Sequence, residues 1–243
     1  MDALITAAGL GTRAKLPRNM RKEMLPVYSF RDNDVVLRPI IDEIMHSLDL
    51  NARVKKFYLV LNKNDSYTAD YVRSLDYKTE IIYQEKPLGY GNAVRLAEPY
   101  LKGFFILNAG DGLIIKDQLL ASAVKMHLDC RCQVLALMPV KNPENYGIAV
   151  IKNNTVITCI EKPKNYIGRN AMTAFYILNS KIFEFIEDSN VTSAIDKTIK
   201  TGIETRYIKI KRNDWISVGT SESYYRILER TYKNIMTSRM SSA

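Results

Sequence analysis

Asp2-Ala3-Leu4-Ile5-Thr6-Ala7-Ala8-Gly9-Leu10-Gly11-Thr12-Arg13 joins a short, mostly apolar run to a glycine turn and then to a basic residue. A run of this length bounded by glycine predicts a buried strand over Asp2 to Ala7. Glycines at 9 and 11 let backbone amides approach an anion closely, Thr12 adds a hydroxyl donor, and Arg13 offers phosphate oxygens a planar fork of donors. Judged alone, a glycine turn with a solvated arginine is the simpler reading.

The next ten residues shift that balance. Arg13, Lys15, Arg18, Arg21 and Lys22 come with no acidic residue among positions 13 to 22, a concentration that repels itself unless it is solvated or faces an anion. Lys22-Glu23-Met24-Leu25-Pro26-Val27 returns a lysine to the mouth of the turn, so that Arg13 and Lys22 can serve one polyphosphate. Gly9 to Ala14 also satisfies the looser dinucleotide fingerprint, but that fingerprint opens directly into a crossover helix, which Pro17 and Pro26 would break. The Gly-Lys-Ser or Gly-Lys-Thr ending of a P-loop is missing.

Outward from this turn, β-rich runs alternate with helical periods. A long loop holding Pro17 and Pro26 leads to a helix opened by Pro39, with Ile40, Ile41, Ile44, Met45 and Leu48 on one face. Further strands are expected at Phe57 to Leu61, Glu80 to Tyr83, Phe104 to Asn108 and Gln133 to Val140, with helices at Tyr67 to Leu75, Asn92 to Tyr100 and Gln118 to Leu128. The pattern then tightens into short strands near 148–151, 155–160 and 173–178, which suggests antiparallel or mixed additions. Helices near 181–186 and 195–200, a strand at 206–210 and a helix from Glu222 to Met236 complete the reading. The implied fold is α/β, a three-layer α/β/α Rossmann-like arrangement around a mixed, mostly parallel sheet. One domain is expected over 1–236, in two parts of about 1–130 and about 131–236; 237–243 reads as a flexible tail.

Composition sets limits on function. The 243 residues are 47% hydrophobic and 25% charged, and 35 Lys plus Arg against 26 Asp plus Glu leave a net charge of +9, which suits an anionic partner. The longest apolar stretches fall well short of the roughly 20 residues that span a bilayer, and Asp2 replaces a basic leader, so a cytoplasmic location and no membrane contact are expected. Cys130, Cys132 and Cys159 are too few for a disulfide framework or a four-cysteine zinc site and read as reduced packing residues. His46 and His127 each fall in an apolar helical pattern and read as structural, leaving carboxylates, lysines, arginines and backbone amides to carry chemistry. Nucleic-acid binding has only net charge and the basic run Lys209 to Arg212 behind it, without aromatic interleaving or a recognised motif.

Three later segments supply functional groups. Gln84-Glu85-Lys86-Pro87-Leu88-Gly89 sits between strand and helix; a glutamine amide can pair with a base edge, and Gly89 permits close backbone approach, although a glycine-rich helix cap would look similar. Gly110-Asp111 ends the buried strand 104–108 and delivers a carboxylate where α/β sheets bind ligands and where Mg2+ finds a hard oxygen donor, a helix N-cap being the structural alternative. Tyr146-Gly147 and Glu161-Lys162-Pro163 bracket short strands, placing a glutamate that can accept from sugar hydroxyls beside a lysine that can reach a phosphate, though surface Glu-Lys pairs are common.

In order, from Ala3 to about Tyr225, these segments resemble the sugar-1-phosphate nucleotidyltransferase family, and the Lys-Glu-Met-Leu-Pro form looks most like its UTP:glucose-1-phosphate uridylyltransferases. The resemblance implies condensation of a sugar 1-phosphate, glucose 1-phosphate for preference, with a nucleoside triphosphate, UTP for preference, giving a sugar nucleotide and pyrophosphate. It implies nucleotide contacts from Ala8, Gly9, Gly11, Thr12, Arg13, Lys22, Gln84 and Gly89, and sugar-phosphate contacts from Gly147, Glu161, Lys162 and Met172. Catalytic roles fall on Arg13, Lys22, Asp111 and Lys162, with Asp111 binding Mg2+. Two departures stand out. Ser217, in Trp215-Ile216-Ser217-Val218-Gly219-Thr220, replaces the family's second magnesium-binding aspartate, and the segment Asn190 to Asp196 lacks a glutamate often found there. A dTTP-using enzyme and a catalytically impaired nucleotide-binding homologue are the alternatives, and short family members can pair as homo-oligomers.

Overall fold

The computed structural model describes residues 1–9, 11, 16, 20–187 and 190–242, with backbone alone for 238 and 240–242. In chain order the first elements are β1 (Asp2–Ala7), β2 (Pro26–Arg31), β3 (Asp34–Pro39), α1 (Ile40–Ala52), β4 (Phe57–Asn62), α2 (Ser66–Arg73), β5 (Thr79–Gln84) and α3 (Tyr90–Arg95). Then come β6 (Phe104–Ala109), β7 (Gly112–Ile114), α4 (Asp117–Cys130), β8 (Gln133–Pro139), β9 (Gly147–Lys152) and β10 (Thr155–Glu161). The chain closes with β11 (Asn170–Asn179), α5 (Val191–Lys200), β12 (Thr205–Lys209), β13 (Trp215–Ser217) and α6 (Ser221–Ser242).

Period-two alternation fixes the layers. Along β1, Ala3, Ile5 and Ala7 enter one core and Leu4 the other; along β4, Phe57, Leu59 and Leu61 join the first and Tyr58 and Val60 the second. Successive strand side chains point to opposite faces, so strands that are apolar throughout need helices on both sides. Helices α1, α2, α4 and α6 cover the first face; α3, α5 and a 3₁₀ segment at Ser180–Phe185 cover the second. The three-layer α/β/α expectation is therefore met.

Nine strands form the central sheet, in the order β10-β9-β11-β6-β1-β4-β5, with β8 added on β11 and β12 on β8. β5, β4, β1 and β6 are parallel, and β12 is parallel to β8. β11 is antiparallel to β6, β8 and β9, and β10 to β9, so β10 and β11 run against the rest of a mostly parallel sheet. The carboxyl ends of β1 and β6, where ligands of such sheets bind, lie side by side.

Four expectations need correction. Pro26, expected within a loop, opens β2 of a hairpin whose turn residues Asp32 and Asn33 have φ of 51° and 65°; two left-handed residues match the twist of the flanking strands. The segment expected as a helix near Lys181 to Ile186 is the 3₁₀ turn instead. Helical backbone continues past Met236 to Ser242, through residues assigned to the tail. Cys130 and Cys132 are joined by a disulfide, because a left-handed Arg131 turns the chain from α4 to β8 and brings their Cα atoms to 5.2 Å, within disulfide reach. Cys159 remains free and buried, its thiol pushed up to about 12 by burial.

Of the two histidines, His127 is packed in the core and His46 is half-buried on α1. His127 is buried with Nδ1 2.8 Å from the Cys132 carbonyl, and burial lowers the pKa of His46 on α1. Among the described residues, no helix is long and apolar enough to cross a membrane.

Candidate functional site

Ala8 and Gly9 follow β1 directly, Gly11 takes a left-handed φ of 64° with open space beside it among the described residues, and Lys22 stands at the start of a short 3₁₀ turn, Lys22–Met24. A Cβ on Gly9 would lie 4.0 Å from Lys22 Cε, so the lysine does return to the glycine turn. Its ammonium is paired with Asp111 Oδ2, and both side chains are mostly shielded from water. Thr12 and Arg13, like Lys15 and Arg18, lie outside the described residues.

Asp111 reaches this corner because Gly110 allows it. The Gly110 amide donates to the Thr6 carbonyl at 2.9 Å, and a Cβ there would meet Ala7 Cβ at 2.9 Å. Only a residue without a side chain lets the chain leaving β6 lie so close to β1. The loop is fixed by Asn108, a buried residue whose amide donates to the carbonyls of Ala109 and Gly112 at 2.8 and 3.0 Å. Pairing of β7 with β13 sets Ser217 opposite Gly112 and brings the Ser217 hydroxyl to 3.2 Å from Asp111 Oδ2. Asp214 points elsewhere, accepting from the Lys211 amide and pairing with Lys116, so it adds no second carboxylate beside Asp111.

Gln84 ends β5 and is buried, with its amide nitrogen donating to the Gly89 carbonyl at 3.3 Å and to Asn92 Oδ1 at 2.8 Å. These bonds bring the two expected base contacts, Gln84 and Gly89, together. Asn92 orients the amide, a role that its position within a helical pattern did not signal.

The sugar-side candidates share a row across three strands. Glu161 of β10 pairs with Gly147 of β9, and one residue on from the Ala171–Ile148 pair, Met172 of β11 faces Gly147 from the other side. A Cβ on Gly147 would sit 2.5 Å from Thr192 Oγ1 and 3.1 Å from Glu161 Oε2, so glycine is required there by space. Thr192, in the first turn of α5, donates to Glu161 Oε2 at 2.7 Å and holds the carboxylate in place. Lys162 follows in the left-handed region, φ 43°, its amide bonded to the Tyr146 carbonyl at 3.0 Å and its side chain exposed. The segment Asn190 to Asp196, read as lacking a glutamate, instead supplies Thr192 to Glu161 and Asp196 to the Cys159 amide.

These two corners meet across β11. One edge of that strand is occupied by β8; the other is shared, with β6 pairing Phe175 to Asn179 and β9 pairing Ala171. The end of β6, which leads to Asp111, and the start of β9 at Gly147 therefore approach one another along the same edge.

Glu23 is the unexpected group. It is 2% exposed, its Oε1 lies 4.0 Å from Lys22 Nζ, and Oε2 has no hydrogen-bond partner among the described residues. Burial, opposed by the Lys22 charge, pushes its carboxyl up to about 7. A charged residue in the middle of Lys-Glu-Met-Leu-Pro reads as exposed in sequence, and only the packing of the 3₁₀ turn buries it.

Among the described residues, Asp111 is the one carboxylate placed on the Lys22 ammonium and Ser217 hydroxyl together, and no three His, Cys, Asp or Glu side chains gather to cage a metal. Mg2+ keeps several waters and is commonly held by one or two carboxylates plus substrate phosphates. Asp111, with Ser217 able to bond a coordinated water, fits an ion shared with phosphates and not an all-protein site. A separate cavity of about 670 Å3, lined by Tyr28, His46, Asp117 and Asn234 among others, holds none of the described candidate residues.

Residues 2–234 match the nucleotidyl transferase family. The bifunctional protein GlmU of Methanococcus vannielii is 31% identical over 217 residues, covering 83% of this chain and 48% of that protein. This chain spans about half the length of such curated relatives. Among solved structures, a UDP-glucose pyrophosphorylase complexed with UDP-glucose superposes with a TM-score of 0.78 at 22% identity, covering 96% of this chain and 99% of that one. A putative glucose-1-phosphate thymidylyltransferase from Bacillus anthracis gives the same TM-score, 0.78, at 22% identity, with 95% of each chain covered.

Proposed function

This chain belongs to the nucleotidyl transferase family, and on that premise we propose that it joins a sugar 1-phosphate to a nucleoside triphosphate, releasing pyrophosphate and a sugar nucleotide. The observation that carries this reading is the convergence of two unlike corners on one edge of β11: one at Gly9 and the Lys22–Asp111 pair, and a hydroxyl-accepting one at Gly147, Glu161 and Lys162. Residues 1–236 act as one catalytic domain, the glycine turn and Gln84 serving the nucleotide and the row on β9, β10 and β11 serving the sugar phosphate. UTP with glucose 1-phosphate is the preferred pair, a preference resting on the Lys22 to Pro26 segment.

In this mechanism an oxygen of the sugar phosphate attacks the α-phosphorus in line, pyrophosphate leaves, and no covalent enzyme intermediate forms. Such a reaction needs positioning and charge neutralisation more than a proton-transferring base, consistent with a site that holds no histidine. Lys22 exchanges Asp111 for the α-phosphate region when nucleotide binds, Arg13 stabilises the leaving pyrophosphate, and Lys162 holds the attacking phosphate. Glu161, fixed by Thr192, accepts from sugar hydroxyls. Asp111 would hold a Mg2+ ion together with the phosphates, and that ion would supply further neutralisation of charge.

Pyrophosphate release by the purified protein with Mg2+ tests this reading. UTP, dTTP and GTP would each be paired with glucose, N-acetylglucosamine and mannose 1-phosphates. Turnover with UTP and glucose 1-phosphate at the highest kcat/KM supports it; preference for dTTP corrects the nucleotide, and binding without turnover in every pairing replaces the enzyme by a nucleotide-binding protein.

A further inference from the structure

β11 is interrupted where the two corners meet. Met172 pairs with Leu137 of β8 and Tyr176 with Leu135, so four steps along β11 answer two along β8. Thr173, Ala174 and Phe175 carry the excess as a bulge, in which Ala174 takes a left-handed φ of 60° that a residue with a Cβ seldom adopts. The opposite edge of the strand changes partner at the same place, from β9 at Ala171 to β6 at Phe175. Met172, the last regular residue before the bulge, belongs to the row of Gly147 and Glu161.

A bulge removes backbone groups from their ladder, and a buried amide must find another partner. The Ala174 amide finds the hydroxyl of Tyr176, which accepts it at 2.8 Å, while Thr173 ties the other side by donating to the Ala136 carbonyl at 2.9 Å. Tyr176 is 5% exposed, and burial raises its phenol far above the ordinary range, so the hydroxyl stays protonated.

We propose that Tyr176 is a positioning residue for the sugar phosphate: by pinning the bulge at Ala174 it sets where Met172 stands against Gly147 and Glu161, and so governs sugar-phosphate affinity without governing nucleotide affinity. This rests on the reaction assigned above. Strained non-glycine backbone persists where surrounding contacts over-determine it, and here the contact is one hydroxyl two residues away.

Tyr176→Phe keeps the ring and deletes that hydroxyl. Calorimetric titration of glucose 1-phosphate in the presence of saturating α,β-methylene UTP, which cannot react, is expected to show affinity about tenfold weaker in the variant, with binding of the UTP analogue within about twofold. Ala174→Gly in the Tyr176→Phe background, which gives the left-handed position a residue that adopts it freely, recovers part of the loss. Unchanged sugar-phosphate affinity, or equal weakening of both ligands, overturns the proposal. Wild-type protein that binds the UTP analogue but none of the sugar phosphates defeats the assigned reaction and this role with it, whereas tight binding of both by wild type and variant alike defeats this role alone.

Discussion

The Ser217 hydroxyl lies 3.2 Å from Asp111 Oδ2, the same oxygen that pairs with the Lys22 ammonium. The pairing of β13 with β7 thus places a neutral hydroxyl beside this carboxylate. Among the described residues, the charge balance at this corner is the Lys22 ammonium against Asp111, with Glu23 Oε1 4.0 Å from the same ammonium.

Ser217→Asp alters that balance. A second carboxylate at 217 would give a hard divalent ion a protein site before nucleotide arrives. Mn2+ binding to the nucleotide-free protein, monitored by the loss of the free-ion paramagnetic resonance signal, is expected to tighten at least about tenfold in the variant. Equal Mn2+ affinity in both proteins would show that position 217 does not face the ion.

Lys22→Ala and Arg13→Ala are each expected to lower kcat/KM by at least about tenfold, the loss expected when a charge facing the transition state is removed. Circular dichroism of each variant verifies the fold. Unaltered kinetics in folded Lys22→Ala would place the nucleotide phosphates away from the Gly9 corner.

Lys162→Met and Thr192→Val act on the other substrate. The first removes the charge assigned to the sugar phosphate and the second the 2.7 Å bond that fixes Glu161. Each should raise KM for the sugar 1-phosphate by about tenfold or more while leaving KM for the nucleoside triphosphate within about twofold. A larger effect on the nucleotide would reverse the assignment of the two corners.

Much of this arrangement is legible in the sequence, for a physical reason: the catalytic candidates sit at strand ends, and strands announce themselves by apolar run and glycine stop. Gly9, Asp111, Gly147 and Glu161 fall at or just beyond such ends, whereas Lys22, in the 3₁₀ turn ahead of β2, is marked by the basic run and the proline around it. The β2–β3 hairpin is harder to see, although Asp32-Asn33 is the kind of pair that tolerates two left-handed residues, because Pro26 suggests a break where it instead begins an edge strand. Thr192 and Asn92 give no signal because each works through a side chain brought near by the fold, Thr192 across 31 residues of chain, while Asn108 braces its own loop from within a strand pattern that marks it only as a strand end. Burial of Glu23 and the bulge at Ala174 likewise depend on packing and register, which a pattern of residue types does not encode.

The buried Glu23 has a consequence for stability. Its folded-state carboxyl titrates at about 7, above its ordinary value of 4.5, so between those values the native state holds a proton that the unfolded chain has released. The group's contribution is full below the ordinary value and is lost as pH rises through 7, a difference on the order of 3 kcal/mol. Urea unfolding from pH 5 to 8 should therefore show wild type losing stability relative to Glu23→Gln as pH rises. Parallel curves for the two proteins would mean that Glu23 is ionised throughout or solvated.

Gly110→Ala tests the close approach of β6 to β1. The added methyl would meet Ala7 Cβ at 2.9 Å and the Thr6 carbonyl at 3.1 Å, so a destabilisation of about 1–3 kcal/mol and displacement of Asp111 are expected. A melting temperature equal to that of wild type would refute the crowding.

Isotope exchange addresses the reaction itself. If nucleotide and sugar phosphate meet in one ternary complex and displacement is direct, radiolabel from pyrophosphate enters the nucleoside triphosphate only when the sugar 1-phosphate or the sugar nucleotide is present. Exchange with nucleoside triphosphate alone would reveal a covalent nucleotidyl enzyme, and no exchange with the full set of substrates would show that the two corners do not form a reaction centre.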